Sequence, residues 1–320
     1  MKKQYKKVGI SFIGTILLYF ILTFLISSGI ISNYWLGIIM IAGINIILAS
    51  SLNLATGYLG QLTLGHAGFM SVGAYVSALC SIHLELPFIA SLLMGAIIAA
   101  IIGVIIGIPT LRLKGDYLCI ITLAFNEIIR VIMVNLSITN GSKGLVGIPR
   151  STNFAIVFFS AAVTVFVIYS IVKSRHGRAI ISIREDETAS ELSGIPTTYY
   201  KILAFAISAF FAGLAGGLYA HYITVISPKV FDYNKSVEIL VIVVLGGMGN
   251  WKGSIIAAIV MTILPEYLRA FSQYRMLLYA AILIIAMILK EKNIFKTIKN
   301  YIPFLKAILQ DKIHPARWYL

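Results

Sequence analysis

Residues Val8 to Leu84 read VGISFIGTILLYFILTFLISSGIISNYWLGIIMIAGINIILASSLNLATGYLGQLTLGHAGFMSVGAYVSALCSIHL and contain no Asp, Glu, Lys or Arg. A helix needs about 20 consecutive apolar residues to cross a bilayer, so this stretch holds more than two spans. The rest of the chain agrees: 59% of its 320 residues are hydrophobic and only 12% charged, against about a quarter charged in a soluble domain. A membrane β-barrel would alternate in segments of about 10 residues, whereas these runs are continuous. The expected fold is all-α, a polytopic transmembrane helical bundle of about ten spans.

Outward from that stretch, Met1 to Lys7 carries Lys2, Lys3, Lys6 and Lys7. The apolar run after them is too long for a secretory signal and has no small-x-small cleavage site, so it reads as a first anchor entering from the cytoplasm. Further spans are expected at Tyr34 to Leu54, Phe69 to Ile82, Phe88 to Ile108, Tyr117 to Leu136, Phe154 to Val172 and Ile202 to Tyr222. Three more follow at Val237 to Leu245, Ser254 to Leu268, broken near Pro265, and Met276 to Leu289. Ten spans put both termini in the cytoplasm, while eight or nine result if the short spans or the glycine loops dip back. Residues 1–289 form the membrane domain. The basic tail 290–320 has Ile294, Ile298, Tyr301, Ile302, Leu305 and Ile308 at helical spacing, as expected of a helix lying along the inner leaflet.

The net charge of +14 does not imply nucleic acid. Most of the 26 Lys and Arg fall in segments that this topology places inside, which is the positive-inside bias. Cys80 and Cys119 lack a paired spacing and read as packing residues.

The longest polar interval is Lys173 to Thr198, KSRHGRAIISIREDETASELSGIPTT. Its basic residues place it in the cytoplasm. Glu185, Asp186 and Glu187 suit the first turn of a short helix, and Gly194 with Pro196 ends it. Thr197 or Thr198 then caps a helix starting at Tyr199. Such a segment is either a solvated loop or the place where an outside partner pushes on the spans.

Two features within the membrane also stand out. GYLGQLTLGHAGF, Gly57 to Phe69, is glycine-rich with Gln61 and His66. Its backbone must be buried in protein, line a water-filled path or lie at the inner surface, because lipid satisfies no polar group. The span Tyr117 to Leu136 carries Asn126, Glu127 and Arg130 on one side. An intramembrane acid and base are expensive unless paired, so this pair either locks the span or lines a route. Gly95, Ala99, Gly103 and Gly107, and two stripes in the seventh span, Ala209, Gly213, Gly217 and Ser208, Ala212, Gly216, Ala220, are small-residue seams for close helix packing. GGMGNWKGS, Gly246 to Ser254, has the wrong spacing for a phosphate loop, and no Walker motif occurs.

GYLGQLTLGHAGFMSVGAY, LKGDYLCIITLAFNEIIR, GRAIISIREDETASELSGIPTTYYKILAFAISAFFAGLAGGLYA and LVIVVLGGMGNWKGSIIAA together resemble the permease subunits of branched-chain amino acid ABC importers, specifically the M-type of the paired permeases, over about Asn45 to Ala258. In that family the loop matching Arg178 to Pro196 is the EAA coupling loop that docks on the ATPase. Ala189 and Gly194 fit its pattern, whereas Thr188, Ala189, Ser190 stand where Glu-Ala-Ala would. The resemblance implies ATPase coupling by Arg178, Arg184, Glu185, Asp186, Glu187, Ala189, Gly194 and Pro196. It also implies a bacterial cell (inner) membrane complex with a sister permease, two ATPase subunits and an external binding protein, without nucleic acid, cofactor or metal. The expected function is a non-enzymatic permease moving leucine, isoleucine and valine on ATP hydrolysed by its partners. Gln61, His66, Asn126, Glu127 and Arg130 are candidates for the route. The alternatives are a urea or short-amide importer and a secondary transporter, but the latter would place several coupling acids at the midplane and only Glu127 is available. Among His66, His83, His176, His221 and His314 no metal-spaced cluster or catalytic set appears.

Overall fold

The computed structural model describes residues 2–29, 31–110, 113, 115–269 and 274–291. Among them the regular structure is helical, with an isolated antiparallel β-bridge between Leu145 and Ile226. The basic tail from residue 292, and Arg112 and Lys114, lie outside the described residues. The chain forms two compact units, Met1–Ile263 and Leu264–Leu320. The second contains helix α12 (Arg275–Glu291).

In the first unit the apolar runs become α1 (Lys2–Ser27), α2 (Asn33–Asn53), α3 (His66–His83), α4 (Phe88–Thr110), α5 (Asp116–Asn135), α6 (Phe154–Lys173), α9 (Thr197–Ile223) and α10 (Tyr233–Gly246). Between α6 and α9 lie two shorter helices, α7 (Arg175–Glu185) and α8 (Glu187–Leu192), and α11 (Trp251–Tyr267) follows α10. Five helical segments of the described residues are long and apolar enough to cross a membrane: Asn33–Tyr58, Phe88–Thr110, Asp116–Asn135, Phe154–Lys173 and Thr197–Ile223. The protein is an integral membrane protein.

The core is the packing of α9 against α3, α4 and α2, and glycine makes it possible. A methyl group at Gly217 of α9 would stand 2.7 Å from Leu92 Cδ1 of α4, and one at Gly103 of α4 2.6 Å from Ala209 Cβ of α9. With little hydrophobic force between helices in lipid, close backbone approach supplies the association energy. The small-residue stripes of α4 and α9 are therefore the seam of the bundle.

Several boundaries differ from the sequence expectation. The helix α9 starts at Thr197 rather than Tyr199, with Pro196 before it and no side-chain cap. A proline at that point needs no donor, and the hydrogen bond from Tyr200 N to Pro196 O, 3.3 Å, opens the helix. α11 runs through Pro265 rather than breaking there, and ends two residues later at Tyr267. α10 begins at Tyr233, ahead of the expected Val237, because the Asp232 carboxylate accepts from Lys235 N at 3.2 Å.

Candidate functional site

The helix ends gather at two opposite ends of the bundle. At one, Leu145 and Ile226 exchange backbone hydrogen bonds, Thr152 Oγ1 donates to Leu218 O at 3.1 Å, and His221 Nδ1 meets Pro149 O at 3.0 Å. The other end carries the polar interval. Ser174 caps α7, its hydroxyl accepting from Gly177 N at 3.3 Å, and the α7 face formed by Gly177, Ile180 and Ile183 is buried. The sequence reading left α7 unassigned, although an apolar face at every third residue was the available signal.

α8 is held at both ends. Asp186 caps it, Oδ1 accepting from Ala189 N at 3.0 Å, so its role is a side-chain cap rather than only charge near the helix dipole. Gly194 has φ +81°, and Ile195 N donates back to Ser190 O at 3.1 Å, a left-handed stop. Glu187 Oε1 accepts from Lys201 Nζ at 2.6 Å, and the Lys201 side chain is 5% exposed. The α8 tip then presents Leu192, 86% exposed, at an end where polar residues dominate. Arg178, Ala189 and Pro196 are also exposed.

Arg184 points the opposite way, into its own chain. Its Nη1 donates to Gly57 O at 3.0 Å, while Nε donates to Glu185 Oε1 at 3.0 Å and Nη2 pairs with the same carboxylate. Gly57 lies in a π-helical turn, Leu54–Tyr58, that continues α2. Beside it Gly249 N donates to Asn53 Oδ1 at 2.8 Å. Three segments thus meet in one knot: the end of α2, the turn between α10 and α11, and the end of α7. Sequence reasoning missed Asn53 and gave the GGMGN turn no role. A half-open cleft of about 390 Å³ lies next to this knot, lined by Gln61, Asp116, Arg184, Glu185, Asp186 and Lys201 among others.

From the knot the chain turns back into the protein. Residues 59–65 have no regular structure, Leu64 N donates to Thr122 Oγ1 of α5 at 3.0 Å, and α3 begins at His66. His66 is buried, with Nε2 2.8 Å from Ser51 Oγ, and Ser208 Oγ donates to Ser51 O at 2.6 Å. Ser208 is near the middle of α9, so α3 starts halfway along the bundle. Of the three settings open to the glycine-rich segment, burial in protein is the one found for most of it; Gly60 alone among 57–68 is exposed. Several of its backbone donors are met within the protein, Gln61 N by Ala55 O, Gly65 N by Thr63 Oγ1 and Ala67 N by Ser236 Oγ, since lipid would satisfy none of them.

On α5 the expected ion pair forms, Arg130 Nε to Glu127 Oε2 at 2.7 Å, with both side chains about 30% exposed beside the open apolar residues Ile128 and Val131. Asn126 turns instead toward α3, wholly buried against Gly68. The structure therefore separates the candidate route residues: Gln61 near the knot, His66 in the core, Asn126 in the α3–α5 seam and the Glu127–Arg130 pair on the open flank. Among the described residues there is no cluster of metal-ligating side chains.

A family model described as the branched-chain amino acid transport system permease component matches residues 34–287. The chain belongs to that family. It is 35% identical over 273 residues to the high-affinity branched-chain amino acid transport system permease protein LivM of Escherichia coli K12, and equally to that of Salmonella typhimurium. Each alignment takes in 74% of this chain and 64% of the relative, so the chain spans less than two thirds of their length. The ribose import permease protein RbsC of Escherichia coli K12 is 27% identical over 245 residues, covering 69% of this chain and 72% of its own. No solved structure matches. All of these relatives are transport permeases.

Proposed function

We propose that this permease is the M-type membrane subunit of an ATP-binding cassette importer for branched-chain amino acids, working in a bacterial inner membrane with both termini inside. Ten spans, a sister permease, two ATPases on the α7–α8 face and an external binding protein complete the reading. The observation that carries it is the α7–α8 corner. A large apolar side chain, Leu192, stands almost fully exposed among polar residues on a short helix fixed at both ends, as an anchor for a partner's apolar pocket would. Energy reaches the spans through two links, Glu187 to Lys201 at the start of α9 and Arg184 to Gly57 at the end of α2. The substrate passes along the open flank of α5, where Glu127 and Arg130 offer opposite charges to a zwitterion and a second permease supplies the facing wall. Covering that flank with protein also spares the ion pair from lipid, where it would be costly.

The test is reconstitution of the complex in vesicles with the binding protein outside and ATP inside, measuring uptake of leucine, urea and ribose. ATP-dependent leucine uptake is the expected result. Uptake of urea or ribose without leucine overturns the substrate assignment, and failure of any ATPase subunit to copurify overturns the importer.

A further inference from the structure

Three side chains along one seam have polar atoms with no hydrogen-bond partner among the described residues: Asn126 (Nδ2 and Oδ1), Ser71 (Oγ) and Tyr75 (Oη). Thr23, Asn53, Thr56, Gln61 and Glu127 also carry such an atom at other places, but these three lie together. Gly68, Ser71 and Tyr75 recur three and four residues apart on α3, which puts them on one face. Asn126 of α5 packs on Gly68, where an added methyl would lie 3.1 Å from Asn126 Oδ1. At the far end the Tyr75 ring meets that of Phe231, centroids 6.1 Å apart. All three residues are no more than 1% exposed in the single chain, so neither lipid nor a neighbouring subunit reaches them. What satisfies them must already be inside.

Buried polar groups without partners are heavily penalised and in native proteins are met by protein or by ordered water. The geometry points to a chain of bound water molecules in the seam between α3 and α5, anchored by Asn126, Ser71 and Tyr75 and closed by Phe231. Each group has both donor and acceptor capacity, Asn126 through its two ends and the hydroxyls through one atom, which is what a water file needs to pass hydrogen bonds along. The consequence is mechanical. Beyond the one direct bond at its start, Leu64 N to Thr122 Oγ1, α3 and α5 share exchangeable water contacts along this seam, which eases small adjustments of α5 against α3. The Glu127–Arg130 pair rides on the same helix. The inference does not depend on which substrate is carried.

Radiolytic footprinting of the full chain in detergent, in water enriched in the heavy oxygen isotope, tests this, because radicals born from bound water oxidise the nearest side chain. Tyr75 is expected to take up label several-fold faster than Phe205, an equally buried core aromatic whose ring packs against Phe69. Ser71→Ala, which removes one anchor with little change of shape, is expected to lower labelling of Tyr75 and leave that of Phe205 as it was. Equal labelling of Tyr75 and Phe205 in the unaltered protein overturns the proposal. Added leucine that abolishes Tyr75 labelling also overturns it, by assigning the seam to substrate instead of water.

Discussion

Glu187 and Lys201 are 14 residues apart in the chain and meet at 2.6 Å, joining the first turn of α8 to the first turns of α9. The lysine is buried and the glutamate about one-third exposed, so the pair behaves as a fixed strut rather than a surface bridge. Removing one partner of a buried pair costs far more than the pair itself contributes.

From that relation, Glu187→Gln is expected to lower the stability of the folded permease by about 1–3 kcal/mol, the cost of weakening the contact of a buried charge. Thermal unfolding in detergent reads this directly. Glu185→Gln, whose carboxylate is exposed, should shift the midpoint little. Equal shifts for the two would remove the strut.

Arg184→Lys keeps the charge but not the planar fork, so the contact to Gly57 O or that to Glu185 is lost. With a charge-assisted hydrogen bond worth about 1.5–3 kcal/mol, uptake per ATP hydrolysed is expected to fall about tenfold or more while ATPase subunits still copurify. Loss of copurification would instead make Arg184 a docking residue.

Leu192→Asp leaves the permease fold untouched, since the side chain makes almost no contact in its own chain. It is expected to abolish copurification of the ATPase. Gly194→Val acts differently: φ +81° is strained for a β-branched residue although space is open around it. A cost of about 1–3 kcal/mol, concentrated at the end of α8, should loosen the same contact. Normal ATPase yield with both variants refutes the docking assignment.

Sidedness has its own test. A cysteine at the exposed Ser142 should react with an impermeant thiol reagent from outside, and one at the exposed Arg175 only after the inner face is opened. Reaction at 175 in intact cells rejects the topology.

The helices of the bundle were readable from hydropathy because lipid imposes one rule on every span. The stripes at Gly95 and Gly213 were legible as surfaces for close helix packing, but that they face each other is seen only in the structure. α7 escaped because its buried face is only Gly177, Ile180 and Ile183 among polar neighbours. Asn53 escaped because its partner, Gly249, is 196 residues away, and an exposed anchor such as Leu192 carries no local signal at all. The pairing of Glu127 with Arg130 was legible from spacing, whereas the turn of Asn126 toward α3 depended on where Gly68 would lie.

The distance between Asn53 and Gly249 also bears on biogenesis. The chain emerges from the ribosome N-terminus first, so α2 enters the membrane long before the turn whose Gly249 N–H donates to its amide oxygen has been synthesised. Until then the carboxamide and the widened turn after it need interim shelter, in water at the bilayer surface or in the insertion machinery. This end of α2 is therefore completed late, and a ribosome stalled before Gly249 leaves an intermediate whose first helices are inserted but not yet locked.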